Sequence, residues 1–290
     1  MNKPKKYLTS SSFRQALDDH LRNIAKKEGL EISRLKHQIA FDRFLFRLFH
    51  EEPSPWLLKG GYAIELRLHN APATKDIDLA LKERIWLSEN TKEQNEALHE
   101  KLQTCLIGET HDFFDFTIGS ASMTLVGPPE KGARFPVEAH MDGRSFSKFN
   151  LDVSVGDPII QPEEKLKPRN YLSFAGIESK AYPTISIEQQ FSEKLHAYTR
   201  PRTSGHNSRV KDLMDMVLLI ESKSIDPLKI VTAIEVTFKQ YQSHDCPKKL
   251  SEPPSSWKDP FQVMAKDCGF DGDLIRAFQI LSDFFDSLSF

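Results

Sequence analysis

Cysteine is scarce in this chain and irregularly placed. The 290 residues include three cysteines, Cys105, Cys246 and Cys268, and no Cys-x-x-Cys pair occurs. An odd number of widely separated cysteines argues against a disulfide framework and against a zinc site. The default prediction is therefore a protein of the reducing cytoplasm.

Long apolar runs are also missing. No stretch approaches the roughly 20 consecutive apolar residues that a membrane-spanning helix needs. The opening segment, MNKPKKYLTSSS, is basic but has no apolar core of the kind found in secretion signals. We therefore expect neither membrane insertion nor secretion.

The chain also lacks an excess of positive charge. The chain has 39 Lys and Arg against 41 Asp and Glu, which makes its formal net charge −2. Because no global positive field attracts nucleic acid, any contact with RNA must come from local basic groups. The motifs GxGxxG, GxSxG and HExxH are absent as well, so no motif supports a dinucleotide-binding enzyme, a serine hydrolase or a zinc protease.

The most informative stretch that is present is WLLKGGYAIELRLHNAPATKDIDLALK, residues 56–82. Apolar Trp56–Leu58 predicts a strand, Gly60-Gly61 a turn, and Tyr62–Leu68 a helix. Asp76–Leu81 alternates polar and apolar residues at its start and predicts a second strand.

Two features of this stretch suggest chemistry. A Gly-Gly pair between strand and helix can turn backbone N–H groups toward an anion. Asp76 and Asp78 lie two apart on a strand, so both carboxylates leave the same face. Alone, the first is usually only a turn and the second is often a solvated strand edge. Together they fit Mg²⁺-dependent phosphoryl chemistry, in which carboxylates hold the ion and the ion holds nucleotide phosphates.

A third carboxylate is predicted on a later strand. In FNLDVSV, Leu151, Val153 and Val155 alternate with Asp152, which places Asp152 on the opposite face from the apolar residues. If this strand neighbours the Asp76 strand, three carboxylates come together, and a divalent cation would relieve their repulsion. The alternative is an exposed strand aspartate without a role.

The segment EKLHAYTRPRTSGHNSRVKDLMDM is the second informative stretch. Lys194 lies beside the apolar stripe of a predicted helix over 186–198. After an arginine-containing loop, a helix is predicted from Arg209, and its Asp212 and Asp215 share a face. In isolation, these groups could equally be ordinary surface ion pairs.

The remaining periodicity predicts an α/β (α+β) protein. We expect a mixed sheet of about five strands, with residues 1–180 as the core domain and 181–290 as a helical C-terminal domain. Predicted helices cover 13–27, 32–51, 88–106, 226–241, 260–267 and 271–288. Further strands are predicted over 113–118, 122–126, 134–139 and 148–155.

The combined motifs resemble a known family. A Gly-Gly turn, a helix and Asp-x-Asp on the next strand resemble the opening of polymerase-beta-like nucleotidyltransferases. The order KGG, TKDIDL, LDVSVGDP and FSEKLHA through RVKDLMDM, which spans Trp56–Ile220, resembles the AbiEii/AbiGii toxins of type IV toxin–antitoxin systems. This resemblance implies a polymerase-beta-like core with a mixed sheet and a helical C-terminal half.

The resemblance implies roles for the groups around the nucleotide and metal. Gly60 and Gly61 would wrap the triphosphate of an NTP substrate. Asp76 and Asp78 would bind Mg²⁺. Asp152 would be the third carboxylate, either as a metal ligand or as the base that activates the attacking hydroxyl.

The resemblance also implies roles for the second stretch. Lys194 would contact nucleotide phosphates and offset charge as pyrophosphate leaves. Asp212 would serve activity by orienting Lys194. Arg209 and Lys211 would bind nucleotide phosphate or RNA backbone.

One departure from the family pattern stands out. Many relatives carry an arginine just before the Thr-x-Asp-x-Asp run, whereas this chain has Asn70, Ala71, Pro72 and Ala73 there. The nearest arginine is Arg67. The electrostatic contact is therefore either missing or supplied from elsewhere in the fold.

The function implied is a Mg²⁺-dependent nucleotidyltransferase toxin. It would move an NMP from an NTP onto RNA, with the 3′ end of tRNA as the expected acceptor, and so inhibit translation. A cognate antitoxin protein is an implied partner. Two alternatives stay open: transfer of a nucleotide or phosphate to a protein side chain, and a catalytically silent binding module of the same fold.

Overall fold

A computed structural model describes residues 7–68, 70–82, 90–108, 110–125, 131–201 and 209–288. The chain divides into two compact units that are each discontinuous in sequence. Unit 1 comprises Met1–Leu58, Lys75–Gly156 and Lys165–Pro183, and unit 2 comprises Lys59–Thr74, Asp157–Glu164 and Thr184–Phe290. The predicted division into domains 1–180 and 181–290 stays a prediction.

Helices and strands follow the α/β class that the sequence predicts. The helices are α1 Ser10–Glu28, α2 Ile32–Leu48, α3 Gly60–Arg67, α4 Thr91–Cys105, α5 Ile187–Thr199, α6 Val210–Glu221, α7 Pro227–Tyr241, α8 Lys258–Asp267 and α9 Leu274–Asp286. The strands are β1 Trp56–Lys59, β2 Asp76–Leu81, β3 Asp115–Ile118, β4 Met123–Thr124, β5 Lys131–Met141, β6 Arg144–Val155, β7 Glu164–Leu166 and β8 Tyr182–Thr184.

The strands form one mixed sheet in the order β3-β5-β6-β2-β1-β8-β7, with β4 paired to β5. β2 and β6 run parallel, while β3, β4 and β6 pair antiparallel with β5. The prediction of a mixed sheet is confirmed, but the described residues form eight strands rather than about five. The additional strands β7 and β8 have three residues each, too few to show an alternating pattern in the sequence.

A tight hairpin joins β5 to β6 and sets the first part of their pairing. Asp142 and Gly143 have φ of 55° and 66°, and Met141 pairs with Arg144 across them. Positive φ at both central residues is the type I′ geometry that Asp-Gly favours. A register irregularity between Ala139 and His140 then shifts the pairing beyond it by one residue.

Phenylalanine fills much of the core of unit 1. The Phe149 ring of β6 lies edge-on to Phe41 and Phe44 of α2, at centroid distances of 4.9 and 5.5 Å. Both α2 rings are fully buried. Edge-to-face pairs of this kind add directional preference to apolar burial, and they hold α2 against the sheet face opposite the polar residues of β6.

An apolar cluster built mostly from the C-terminal helices forms the core of unit 2. Phe191 and Leu195 of α5 and Leu213 of α6 are completely buried in it. Ile64 of α3 and Ala71 belong to the same cluster, although they lie more than 100 residues earlier in the chain. The helix that follows the Gly-Gly turn is therefore held by the C-terminal helices.

Helix α5 begins with a side-chain N-cap. The Ser186 hydroxyl accepts a hydrogen bond from the backbone N–H of Gln189 at 3.2 Å. This satisfies one of the amides that a helix leaves unpaired at its start. The cap fixes where α5 begins, and thereby the face on which Lys194 lies.

Within the ranges given above, no helix combines the length and the apolar content needed to cross a membrane.

Candidate active site

Two aspartates of β2 lie on one face of the sheet in unit 1. Ile77 and Leu79 are completely buried, whereas Asp76 and Asp78 between them are half-buried. This alternation is the one that the sequence predicts for a strand with one apolar face. Apolar burial of Ile77 and Leu79 therefore turns both carboxylates toward the opposite side.

Asp152 of β6 lies beside them. In the parallel pairing of β2 and β6, Asp78 is the register partner of Asp152, and Asp76 is the partner of Asn150. Neighbouring strands are about 4.8 Å apart, so paired residues on the same face are in reach of one another. The amide of Asn150 also donates a hydrogen bond to Asp76 Oδ1 at 3.0 Å. The predicted adjacency of the two aspartate-bearing strands is confirmed, and the role of the three aspartates as a cluster stays a prediction.

An arginine that the sequence analysis did not select completes this cluster. Arg134 of β5 is the register partner of Asp152. Its Nε and Nη2 donate to Asp152 Oδ1 and Oδ2, each at 2.7 Å, and Nη2 lies 3.7 Å from Asp76 Oδ2. These carboxylates, Asp152 foremost, raise the pKa of Arg134 above its usual range. Arg134 is thus a permanently charged member of the cluster.

Arg134 could have been found only with knowledge of the strand register. The Asp142-Gly143 hairpin is a readable signal, but counting back from its two-residue turn pairs Arg134 with Leu151. The register shift beyond Ala139 moves the partner to Asp152 instead. A shift of one residue exchanges the two faces of a strand, so the bulge decides whether Arg134 meets a carboxylate or the core.

The oxygen donors in this cluster suit a hard cation such as Mg²⁺. No group of three or more His, Cys, Asp or Glu side chains within the described ranges is arranged to hold a metal ion, however. Both oxygens of Asp152 already accept from Arg134. Asp76 and Asp78 therefore fit the predicted ion best, and the three metal-ligand assignments stay predictions.

Gly60 and Gly61, here called the Gly-Gly turn, are the first residues of α3 in unit 2, and Gly61 has little room for a side chain. Gly60 has a φ of 66°, which disfavours other residues. A Cβ added at Gly61 would come within 2.9 Å of Thr74 Oγ1 and 3.2 Å of Lys211 Nζ. The backbone of Gly61, a hydroxyl and an ammonium group therefore converge, which is the composition of an anion-binding cradle. The predicted pair Gly61 and Lys211 is brought together, and Thr74 was missed.

A buried ionic network anchors this turn. Lys59 Nζ lies 2.6 Å from Asp157 Oδ2 and 3.1 Å from Glu193 Oε2. The Tyr241 hydroxyl donates to Asp157 Oδ1 at 3.0 Å. Burial by itself would lower the pKa of Lys59, but Asp157 and Glu193 outweigh it and raise that pKa well above its usual value. Gln190 of α5 adds a hydrogen bond to the Gly60 carbonyl at 2.7 Å.

Lys194 is held by two aspartates of α6 in unit 2. Its Nζ lies 2.9 Å from Asp212 Oδ1 and 2.6 Å from Asp215 Oδ2. Burial would lower the pKa of Lys194, yet the two carboxylates raise it. Arg209 Nη1 lies 3.4 Å from Asp212 Oδ2. The expected contact between Asp212 and Lys194 is confirmed, and Asp215, noted only for sharing a face with Asp212, is a second partner.

The predicted site residues thus fall into two groups. Unit 1 brings together the aspartates of the predicted metal site. Unit 2 brings together the predicted phosphate-binding residues, namely Gly60, Gly61, Lys194, Arg209 and Lys211, with Asp212. Arg202, part of the loop between α5 and α6, lies outside the described residues.

Comparison with known proteins identifies the family of this chain. The family model described as nucleotidyl transferase AbiEii toxin, type IV toxin–antitoxin system, matches residues 43–284. The chain belongs to this family. As an AbiEii family member it is a nucleotidyltransferase, and the resemblance inferred from the motifs is confirmed.

Solved structures show a likeness of fold. The nucleotidyltransferase toxin MenT4 from Mycobacterium tuberculosis matches with a TM-score of 0.54 and 16% identity, over 94% of this chain and 94% of its own. JHP933 from Helicobacter pylori matches with a TM-score of 0.40 and 15% identity, over 89% of this chain and 99% of its own. No curated protein matches the sequence. The likeness to MenT4 supports the nucleotidyltransferase fold of the AbiEii family member.

The structure shows which arginine lies at the aspartates, although this chain lacks the arginine that many relatives carry just before TKDIDL. Arg67 does not serve this AbiEii family member as the missing arginine, because all three of its guanidinium nitrogens bind within unit 2. They contact Gln190 Oε1 at 3.0 Å, the Ile185 carbonyl at 2.5 Å, and Glu164. A guanidinium at the aspartates is supplied instead by Arg134, about 60 residues later in the chain.

Proposed function

We propose that this AbiEii toxin transfers an NMP from an NTP to the 3′-terminal hydroxyl of tRNA, with Mg²⁺ as cofactor, and so inhibits translation in the cytoplasm. The observation that carries the proposal is the pairing of Asp78 with Asp152 beside Asp76, on one face of adjacent strands. Asp76 and Asp78, on one face of β2, suit an ion that binds a triphosphate, and Asp152 lies beside them. The family further suggests an antitoxin as partner.

The proposed reaction is an in-line displacement at the α-phosphorus. The acceptor oxygen forms a bond to that phosphorus, the bond to the β-phosphate oxygen breaks, and pyrophosphate leaves with its electron pair. The hydroxyl proton passes to the carboxylate of Asp152, the base that the family resemblance implies, or to water. Mg²⁺ held by Asp76 and Asp78 would supply positive charge to the phosphate oxygens.

The residues of unit 2 would bind the donor nucleotide. Gly60 and Gly61 offer backbone N–H groups to the triphosphate, and Lys211 offers an ammonium beside them. Lys194, held by Asp212, would offset the charge that develops on the leaving pyrophosphate. Arg209 is the remaining cation at Asp212 and would contact a phosphate.

The test is transfer of label from each radiolabelled NTP to total tRNA in Mg²⁺, resolved on a gel. We expect label in tRNA with the wild type and a loss of at least about 100-fold for Asp76→Asn and Asp78→Asn, the scale expected when charge stabilisation in the transition state is removed. Asp115→Asn, at an exposed position of β3 in the same sheet, is the matched control and should retain activity. Chelation should abolish transfer, and added Mg²⁺ should restore it.

Each other outcome replaces the proposal with a definite alternative. Label on a protein but not on tRNA would make the acceptor a protein side chain. Unchanged transfer in both β2 variants would remove Asp76 and Asp78 from the reaction. No label in any acceptor, together with no Mg²⁺-dependent NTP binding by calorimetry, would leave a silent module of this fold.

A further inference from the structure

Arg134 has hydrogen-bonding capacity that its own cluster does not use. Its Nε and Nη2 are taken by Asp152, and Nη2 also lies near Asp76. Within the described part of the chain, Nη1 has no hydrogen-bond partner. The side chain is 30% exposed on the face that carries the aspartates. A guanidinium held by one edge, with the other edge toward solvent, suits an anion that presents two oxygens, such as a phosphate group.

The position of Arg134 in the sheet indicates which phosphate it meets. The strand order is β5-β6-β2-β1. Arg134 on β5 therefore lies beyond Asp152 of β6, on the side of Asp76 and Asp78 that faces away from β1. At about 4.8 Å per strand, β5 and β1 are roughly 14 Å apart.

An in-line displacement makes this side the acceptor side. An in-line attack brings the hydroxyl to the α-phosphorus from the side opposite the leaving pyrophosphate. In the proposed function the base for this hydroxyl is Asp152, the carboxylate that Arg134 holds, so the acceptor lies on this side. A polynucleotide end that delivers such a hydroxyl brings its last phosphodiester with it. That phosphate would approach three carboxylates in a protein whose net charge is already −2, so it requires a local cation.

We infer that Arg134 binds a backbone phosphate next to the 3′-terminal hydroxyl of a polynucleotide acceptor, while Asp152 holds its guanidinium in place. The inference rests on the proposed function and narrows its substrate class, because a protein side chain carries no phosphodiester. Arg134 is on this view a substrate-binding residue for the acceptor and not for the donor nucleotide. Asp152 acts through Arg134 as a positioning residue, in addition to any role at the metal.

The variants that test this are Arg134→Gln, Arg134→Lys and the control Arg144→Gln, which removes an exposed arginine from the paired strand β6. Binding of tRNA is followed by fluorescence anisotropy over a salt series, and the KM values for tRNA and for the NTP are measured separately.

For Arg134→Gln we expect the KM for tRNA to rise about tenfold. The slope of the logarithm of tRNA affinity against the logarithm of salt concentration should fall in magnitude by about one. The KM for the NTP should stay unchanged, and Arg134→Lys should be intermediate because it keeps charge but loses the two-point contact with Asp152. Arg144→Gln should match the wild type.

A chemical change in the RNA makes the test specific. A minihelix with a neutral methylphosphonate at the phosphate before its 3′-terminal nucleoside should bind the wild type as weakly as unmodified RNA binds Arg134→Gln. Combining both changes should cost no more than either alone. Additive losses would overturn the inference, as would a raised KM for the NTP, which would assign Arg134 to the donor phosphates.

Failure of this inference and failure of the proposed function give different results. Wild-type transfer to tRNA that is insensitive to Arg134→Gln would overturn the inference and leave the function standing. If tRNA binding depends on Arg134 but no nucleotide is transferred to tRNA, the proposed function is overturned and the inference stands. Because Arg134→Gln leaves Asp152 without its partner, its thermal midpoint and that of Arg134→Lys are compared with wild type, and only a folded variant is used for the binding comparison.

Discussion

At the scale of single residues, Gly61 shows how a missing side chain can define a binding surface. The space that its Cβ would take lies between Thr74 Oγ1 and Lys211 Nζ. Both are polar ends of side chains rather than backbone, so the chain can adjust to a small addition without losing its fold. The expected effect of a methyl group there is on ligand binding.

We predict that Gly61→Ala raises the KM for the NTP by about tenfold, because it obstructs approach of a phosphate to the turn and displaces Lys211. Thermal unfolding should change little, since the atoms nearest the added methyl group belong to the side chains of Thr74 and Lys211 and not to the backbone. Thr74→Ser, which keeps the hydroxyl, serves as the control. A Gly61→Ala variant with unchanged NTP kinetics would contradict the assignment of this turn to the donor nucleotide.

Lys194 illustrates the cost of removing one partner from a buried ionic group. Asp212 and Asp215 both pair with it, and Asp215 is almost completely buried. Burial raises the pKa of Asp215 above its usual value, and Lys194 opposes that rise. Without the ammonium group, the rise in this pKa would be larger.

We predict that Lys194→Met lowers the free energy of unfolding by about 3–5 kcal/mol near neutral pH, because it leaves the buried Asp215 without its paired ammonium group. A group whose pKa is higher in the folded than in the unfolded state adds stability at low pH and loses it as pH rises through the folded value. The deficit against wild type should therefore be larger at pH 8 than at pH 5 in urea titrations. Lys239→Met, at an exposed position of α7, is the control, and a deficit independent of pH would contradict the account.

At the scale of elements, the network around Lys59 joins the end of β1 to α5 and α7 within unit 2. Glu193, the residue before Lys194, contacts Lys59 directly, and Tyr241 reaches the same network through Asp157. Placement of the Gly-Gly turn therefore depends on two helices that follow it by more than 100 residues. Loss of one hydrogen bond in the network should lower the stability of the protein and also disturb the position of the Gly-Gly turn.

We predict that Tyr241→Phe destabilises the protein by about 1.5–3 kcal/mol, the range for a hydrogen bond to a charged group. Tyr198→Phe is the matched control, because the Tyr198 hydroxyl donates to the neutral carbonyl of Ser251 at 3.0 Å and its loss should cost only about 1 kcal/mol. Denaturant midpoints measure the difference. Only Tyr241→Phe should also raise the KM for the NTP, and equal effects of the two variants would argue against a special role for the network.

At the scale of the whole molecule, the two units are assembled from segments that alternate along the chain. Ile64 and Ala71 are buried in the core of the C-terminal helices, although they lie in the N-terminal third of the sequence. Predicted strands give way to predicted helices near residue 180, which is the basis of the predicted domain boundary. The two compact units divide the chain differently, because segments 59–74 and 157–164 both belong to unit 2.

We predict that a fragment of residues 181–290 does not fold cooperatively by itself. It lacks Ile64 and Ala71, and it also lacks Lys59 and Asp157, which pair with Glu193 and Tyr241. Circular dichroism melts should show helix content without a sharp transition, and mixing with a peptide of residues 55–75 should sharpen the transition. A cooperative melt of the fragment alone would show that the C-terminal helices form an independent domain.

Local pattern was sufficient for much of the candidate site. Alternation predicted that Asp76 and Asp78 share a face, and the same pattern on the later strand placed Asp152 away from the core. Helical spacing predicted that Lys194 lies beside an apolar stripe. These properties depend on residues within a few positions of one another, where backbone geometry determines side-chain direction.

What the sequence by itself determined is therefore the type of each long element, the face of each carboxylate and the family that the motifs resemble. Only the tertiary structure decided that Arg134 meets Asp152, that Asp215 joins Asp212 at Lys194, and that Lys59 is neutralised by Asp157 and Glu193. Each of these contacts joins separate segments of the chain. Which side chains meet depends on a strand register, a bulge or the packing of two helices. The packing of the whole chain sets all three, because a shift of one residue costs little locally and changes which side chains meet.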